Sequence, residues 1–144
     1  MKKYLIAIAV SIISQFSYAD EPVNDIVLKA FKETFPHIKK ASWADAGNFY
    51  EAFFKETGGT TRVRYSKDGE VLTTIRTYKE EKLPLYIQMK IKKKYADKKI
   101  RCITELSNDD GVSYYIMLED EKHLIEVVAD ASGYMSVNKK LKKA

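Results

Sequence analysis

The sequence predicts an α+β fold in which two helices cover one face of a curved antiparallel sheet of about eight strands. Apolar residues recur at helical spacing in two segments, and turn signals at regular intervals separate short aromatic and β-branched runs elsewhere. The two halves of the chain also match at a constant offset of 64 residues. The 144 residues are 45% hydrophobic and 31% charged, which suits one modest domain and excludes a disordered tail or a polytopic membrane protein.

The first nineteen residues are predicted to be a secretory signal peptide. Lys2 and Lys3 precede a mostly apolar stretch over residues 4–16, and small side chains precede a cleavage point after Ala19. The apolar run is too short to span a membrane, and the cleavage point lacks a cysteine that could carry a lipid. We therefore expect residues 20–144 to be periplasmic or secreted, without a transmembrane segment.

The first half, about residues 20–80, is predicted to form one helix and four strands. The helical pattern runs from Pro22 to Phe35, and Pro36 ends it. Glycine-containing turns then divide the following residues into short runs. The predicted strands lie near 38–45, 48–56, 60–66 and 70–79.

The second half, about residues 81–144, repeats this order. Leu83-Pro84 opens a helical pattern that includes Ile87, Ile91 and Tyr95. Strands are predicted near 98–107, 112–119, 122–130 and 133–140. Because the offset matches Gly47 with Gly111, Tyr50 with Tyr114 and Gly69 with Gly133, we predict an internal duplication of an αββββ unit. The two repeats are expected to form a single domain, since neither could close a core alone.

Alternation along the strands predicts which side chains face the helices. Tyr50, Ala52 and Phe54 share one side with their repeat partners and are the more consistently apolar set, so we expect them in the core. The pattern leaves the face of Trp43 open, because a bulge in its strand would exchange its two sides. The opposite face is expected to mix aromatic and charged side chains and to bind a partner through Phe49, Glu51, Phe53, Arg62, Arg64, Tyr115 and Met117.

Short motifs spread over residues 20–144 also carry a family resemblance. They occur in the order Phe35-Pro36, Trp43, Gly47–Phe54, Tyr65–Gly69, Leu83-Pro84 and Gly111–Tyr115. In this order the chain resembles the β-lactamase-inhibitor-like, PepSY-like family of exported bacterial proteins. The resemblance implies a tandem αββββ repeat with its helices on one side of the sheet. It implies no activity, and no contact residue of the lactamase inhibitor can be matched onto this chain.

The residue pattern argues against an enzyme and against a cofactor or metal site. His37 and His123 have no second ligand at zinc spacing, and Cys102 is the only cysteine, so an internal disulfide and a cysteine-based zinc site are excluded. Asn108–Gly111 lacks the downstream glutamate of a calcium loop and is better explained as a hairpin turn. We predict that Cys102 is a buried, small apolar residue.

Lysines cluster on the second predicted helix and at the end of the chain. Without Lys2 and Lys3 the chain has 23 basic and 20 acidic side chains, a net charge of +3. This excess is mild, and lysines near a helix C-terminus complement its dipole, so we expect solvated faces and no nucleic-acid binding. Binding to anionic envelope polymers or lipid headgroups is the functional alternative.

These observations predict an exported, non-catalytic module that binds an unknown protein partner in the envelope or outside the cell. Exposed aromatic side chains mixed with arginine are typical of protein interfaces. Inhibition of a periplasmic or secreted hydrolase is the sharper version, and it rests on the resemblance alone. The alternatives are an envelope protein that binds or senses a small ligand, and a homodimer that hides the aromatic side chains.

Overall fold

The structure, a computed structural model, describes residues 22–144. The predicted signal peptide lies outside the described residues. The elements of residues 22–144 are two helices, eight strands and one turn of 3-10 helix at Glu80–Lys82. Along the chain they are α1 (Asp25–Thr34), β1 (Ser42–Asp45), β2 (Phe49–Glu56), β3 (Gly59–Ser66), β4 (Val71–Tyr78), α2 (Leu85–Lys94), β5 (Lys99–Asn108), β6 (Gly111–Glu119), β7 (His123–Asp130) and β8 (Met135–Lys142).

All eight strands form one open sheet whose spatial order is the order of the chain, from β1 to β8. Each strand is antiparallel to its neighbours. Tight turns join the strands within each half, and α2 lies in the connection between β4 and β5. The predicted α+β fold, with two helices on one face of a curved sheet, is confirmed.

Helix α1 begins at an asparagine cap and buries one side against strands β1, β2 and β3. The Asn24 side-chain oxygen accepts a hydrogen bond from the Val27 N–H at 2.9 Å, as expected of a good N-cap residue. The Asn24 amide also donates to the Lys67 carbonyl at 2.9 Å, which fixes the helix start against the β3–β4 turn. Val27 and Phe31 are buried one turn apart, and they pack on the β2 and β3 side chains of the first core.

The first core is largely aromatic, and it settles the position of Trp43. The Trp43 ring lies 5.2 Å from the Phe31 ring, and Trp43 is opposite the core residue Ala52 in the β1–β2 register. Trp43 therefore lies on the helix side of the sheet. Strand β1 is shorter than the predicted 38–45, because the Ile38 N–H bonds to the Phe35 carbonyl and closes a turn after α1.

The second core lies under α2. Ile87 and Ile91 are fully buried one turn apart, and they pack on the apolar side chains that β5, β6 and β7 direct toward the helix. Leu83 and Tyr78 complete this core at the junction of the two halves. Each helix therefore covers its own half of the sheet. Within residues 22–144, neither helix is long and apolar enough to cross a membrane.

Candidate functional site

The seven residues predicted to bind a partner all lie on the face of the sheet opposite the helices, called here the helix-free face. Ala52 pairs with Val63, and Ile116 pairs with Val127, and all four side chains are in the two cores. Side chains alternate along a strand, so residues one or three positions away from these four along the same strand point away from the helices. The residues so placed are Phe49, Glu51, Phe53, Arg62, Arg64, Tyr115 and Met117.

On β2 and β3, five of these side chains interleave in what we call the arginine–aromatic ladder. The register places Glu51 opposite Arg64 and Phe53 opposite Arg62. Arg64 Nε donates to Glu51 Oε2 at 2.7 Å, and Arg62 Nε lies 3.8 Å from Glu51 Oε1. The Arg62 guanidinium lies 5.3 Å from the Phe53 ring centre, and that of Arg64 lies 5.1 Å from the Phe49 ring centre. Each arginine thus contacts a carboxylate and an aromatic face.

The ladder is well ordered by its own contacts. The Glu51 side chain is 2% exposed, and those of Arg62 and Arg64 are 21% and 15% exposed. A guanidinium between a carboxylate and a ring has an ion-pair partner at its edge and a cation–π contact on its face. Two guanidinium groups thus share one carboxylate within the ladder.

The second half of the helix-free face has a different chemistry at the matching strand positions. Glu126 stands opposite Met117, and Val128 stands opposite Tyr115. Glu126 is 6% exposed and accepts a hydrogen bond from the Asn138 amide at 2.5 Å. Burial, and then the negative charge of Glu126, raises the pKa of Tyr115. This patch is therefore apolar with a buried acidic group.

Cys102 belongs to the same face, which corrects its predicted burial. It stands opposite Met117 on β5 and is half-buried rather than buried. The β5–β6 register shifts between Ile100 and Cys102, so the alternation in the sequence does not fix the environment of this residue. Burial raises the pKa of the Cys102 thiol, which is therefore protonated near neutral pH and is not an activated nucleophile.

An apolar centre that the sequence pattern did not reveal joins the two halves of the helix-free face. Ile75 of β4 stands opposite Arg62 on one side and Leu106 of β5 on the other. Ile75 is buried and Leu106 is half-buried. Alternation in β4 and β5 could have placed each residue on this face. However, the connection between these strands contains the whole of α2, so no short turn fixes the β4–β5 register that brings the two residues together.

A separate cleft of about 290 Å³ lies where the two halves meet, on the helix side. Tyr78 Oη donates to Glu105 Oε2 at 2.6 Å, and Arg76 lies 3.5 Å from the other Glu105 oxygen. Burial, followed by the hydrogen bond to Glu105, raises the pKa of Tyr78. A tyrosine held neutral by a carboxylate is a poor proton donor, so this arrangement suits a structural contact better than acid–base catalysis.

The two histidines each contact one carboxylate. His37 Nε2 lies 3.4 Å from Glu56, and His123 Nδ1 lies 3.3 Å from Asp120. Across residues 22–144 no group of three or more His, Cys, Asp or Glu side chains is arranged to hold a metal ion.

Glu119 closes the end of the helix-free face nearest the chain terminus. Its carboxylate accepts hydrogen bonds from Lys143 and from Arg101, the latter at 2.7 Å. The Lys143 contact, and then the Arg101 contact, lowers the pKa of Glu119 from its ordinary value of 4.5 to about 2.

This shift predicts a pH-dependent contribution to stability. Because the folded-state pKa is depressed, the contribution is present above about pH 4.5 and is lost as the pH falls toward 2. Thermal unfolding of the wild type and Glu119→Gln should therefore differ most at neutral pH and least near pH 2. A difference in Tm that stays constant across this window would contradict the assignment.

Solved structures share this fold at low sequence identity. A BLIP-like protein from Bacteroides fragilis is 16% identical with a TM-score of 0.68, the match covering 86% of this chain and 90% of that chain. A DUF2874 family protein from Bacteroides ovatus is 16% identical, with a TM-score of 0.66 and coverages of 85% and 89%. A protein from Bacteroides eggerthii proposed to be periplasmic is 16% identical, with a TM-score of 0.65 and coverages of 85% and 90%. No family model matches the chain, and no curated protein matches it significantly.

Proposed function

We propose that this protein is an exported, non-catalytic module that binds another protein through the helix-free face. The arginine–aromatic ladder is the observation that carries the proposal. It presents arginine and phenylalanine side chains in one continuous row, and these residue types are enriched in protein interfaces. The fold shared with a BLIP-like protein and with a protein proposed to be periplasmic supports the same conclusion.

The ladder also lowers the entropic cost of binding. A free arginine loses about 1 kcal/mol of side-chain freedom when a partner immobilises it. Arg62 and Arg64 are already held by Glu51 and by their aromatic neighbours, so less of this freedom remains to be lost. Guanidinium groups of this kind suit a carboxylate or a backbone carbonyl of the partner.

The rest of the face determines the orientation of the partner. At the apolar centre the half-buried Leu106 can contact apolar side chains of the partner, and the Glu126 patch lies beyond it. A complementary segment would carry an acidic or carbonyl-rich part over the ladder and apolar side chains over the centre. Inhibition of a periplasmic or secreted hydrolase is the specific form we propose, on the basis of the β-lactamase-inhibitor-like resemblance.

The test is a capture experiment with residues 20–144, which contain both cores and all eight strands. Phe53→Lys changes the ladder, and Met117→Lys changes the other half of the same face. Ile26→Lys is the matched control, because Ile26 is an exposed apolar residue on α1, on the opposite side of the sheet. Circular dichroism should give the native spectrum for all three variants.

We expect at least one envelope protein to be captured by the wild type and by Ile26→Lys, and to be lost with both face variants. The purified partner should then bind with a Kd weakened at least about tenfold by either face variant, since central interface residues contribute more than 1 kcal/mol each. Capture that survives both face variants would contradict the proposal. Light scattering that reports a dimer only for the wild type and the control would instead assign the face to self-association.

A further inference from the structure

A second surface, on the other side of the sheet, combines exposed apolar side chains with lysines. On the outer side of α2, Leu85 is 69% exposed and Met89 is 64% exposed, one helical turn apart. Tyr134, in the β7–β8 turn, is 72% exposed. These are large apolar side chains that neither core buries, and the helix-free face does not include them.

Contacts between α2 and the β7–β8 turn make this surface continuous. Tyr86 Oη donates to the Ala131 carbonyl, and Lys90 Nζ lies 3.4 Å from the carbonyl oxygens of Ser132 and Gly133. An open groove between the helix and the turn is lined by Lys90, Lys93, Lys94, Ser132, Gly133, Tyr134 and Met135. We call Leu85, Tyr86, Met89 and Tyr134, with the lysines at 90, 93 and 94, the α2 surface.

The charge on this surface has one sign. The ten residues of α2 include four lysines and no acidic residue. Lys92 lies 3.3 Å from Glu80, whereas Lys90 contacts neutral backbone carbonyls. Positive charge therefore accumulates beside the exposed apolar side chains.

We propose that the α2 surface binds peripherally to a lipid bilayer that contains anionic lipids. The apolar side chains would enter the interfacial region, while the lysines would be attracted by the anionic headgroups. A soluble polyanion would attract the lysines but would not bury Leu85 and Met89. A protein partner is less suited, because lysine is depleted from protein interfaces.

The position of the α2 surface has a geometric consequence. Helix α2 and the helix-free face lie on opposite sides of the same sheet. A molecule attached to a bilayer through α2 would therefore direct the helix-free face away from the lipid. The two surfaces could be occupied together, and their tests are independent.

The test uses residues 20–144 and two kinds of vesicle, one of equimolar phosphatidylglycerol and phosphatidylcholine and one of phosphatidylcholine alone. Lys90→Gln/Lys93→Gln/Lys94→Gln removes three charges from the α2 surface. Lys139→Gln/Lys140→Gln/Lys142→Gln is the charge-matched control, because it removes three lysines from β8. Leu85→Ser/Met89→Ser removes the apolar part while keeping every charge, and Tyr134→Trp adds a fluorescent reporter.

We expect the wild type to co-sediment with the anionic vesicles and not with the neutral ones. The α2 triple variant should bind at least about tenfold more weakly, and the β8 control should change less than about threefold. Leu85→Ser/Met89→Ser should also weaken binding. The emission of Tyr134→Trp, after subtraction of the wild-type emission from Trp43, should shift to the blue on anionic vesicles only.

Four results would overturn the proposal. The proposal fails if the wild type does not sediment with the anionic vesicles. It also fails if the two triple lysine variants lose the same amount of vesicle binding, which would indicate non-specific attraction. If Leu85→Ser/Met89→Ser leaves vesicle binding unchanged and soluble polyphosphate binds equally well, the surface would be assigned to a polyanion. A concentration-dependent dimer that these two substitutions abolish, without vesicle binding, would assign it to a second copy of the chain.

Discussion

Phe31→Ala is expected to destabilise the protein by about 4 kcal/mol, because it empties the centre of the first core. The Phe31 ring lies within 5.2 to 6.5 Å, centre to centre, of the rings of Phe35, Trp43, Phe54 and Tyr65. Alanine would remove all of these contacts and leave a cavity that rigid aromatic neighbours fill poorly. Urea unfolding followed by circular dichroism measures the loss.

Ile26→Ala is the control for this measurement, since it lies on the same helix but is largely exposed. We expect it to change the free energy of unfolding by less than about 0.5 kcal/mol. Similar losses for the two variants would mean that helix propensity rather than aromatic packing determines the stability of α1. A loss near 1 kcal/mol for Phe31→Ala would show that the core can collapse around the missing ring.

The second large effect is expected from Glu51→Ala, at about 3 kcal/mol of lost stability. The substitution would leave Arg62 and Arg64, both largely buried, without the carboxylate that they share. Removing one partner of a buried ion pair is costly because the remaining charge stays desolvated. Urea unfolding again measures the effect. Glu33→Ala is the matched control, because its pair with Lys29 is exposed and spans 4.0 Å, so we expect a change below about 0.5 kcal/mol.

A third variant separates stability from binding. Glu51→Leu/Arg62→Met/Arg64→Met replaces the charged side chains of the ladder with apolar ones of similar length. Exchanging a whole buried ionic group in this way is often neutral for stability, so most of the loss seen with Glu51→Ala should be recovered. The triple variant should nevertheless fail to capture the partner. A loss equal to that of Glu51→Ala would contradict this explanation, because the cost would then come from packing and not from unpaired charge.

Much of the fold could be predicted from the sequence, because each half uses local connections. A strand that pairs with its chain neighbour across a short turn has its register fixed by that turn, so alternation was enough to separate Ala52 and Val63 from Glu51 and Arg62. The helices are likewise predicted by apolar residues one turn apart, such as Val27 and Phe31, which are buried. That the two halves arose by duplication, and that the chain is PepSY-like, are still predictions.

The unpredicted features depend on register shifts and on long-range pairing. Shifts occur between Arg64 and Tyr65, between Ile100 and Cys102, and between Glu126 and Val127, and a single residue inserted in a strand leaves no distinct sequence signal. The face of the sheet on which Trp43 lies is known only from its contact with Phe31, which is a tertiary contact. In the candidate site, alternation predicts that Arg62 and Arg64 lie on the helix-free face. Their shared carboxylate and their contacts with aromatic rings are seen only in the structure.

The agreement between chain order and strand order has a consequence for how the protein folds. Strands that pair with their chain neighbours close short loops, so each strand can pair with the one before it at little entropic cost. Among the described strands, only β5 pairs across a longer connection, which contains α2. During this growth the latest strand always offers an unpaired edge, which could equally recruit another chain. In the described residues the last strand is β8, where Lys139, Lys140 and Lys142 make the outer edge unattractive to further strands. The lysine-rich final strand thus serves as a stop for sheet growth.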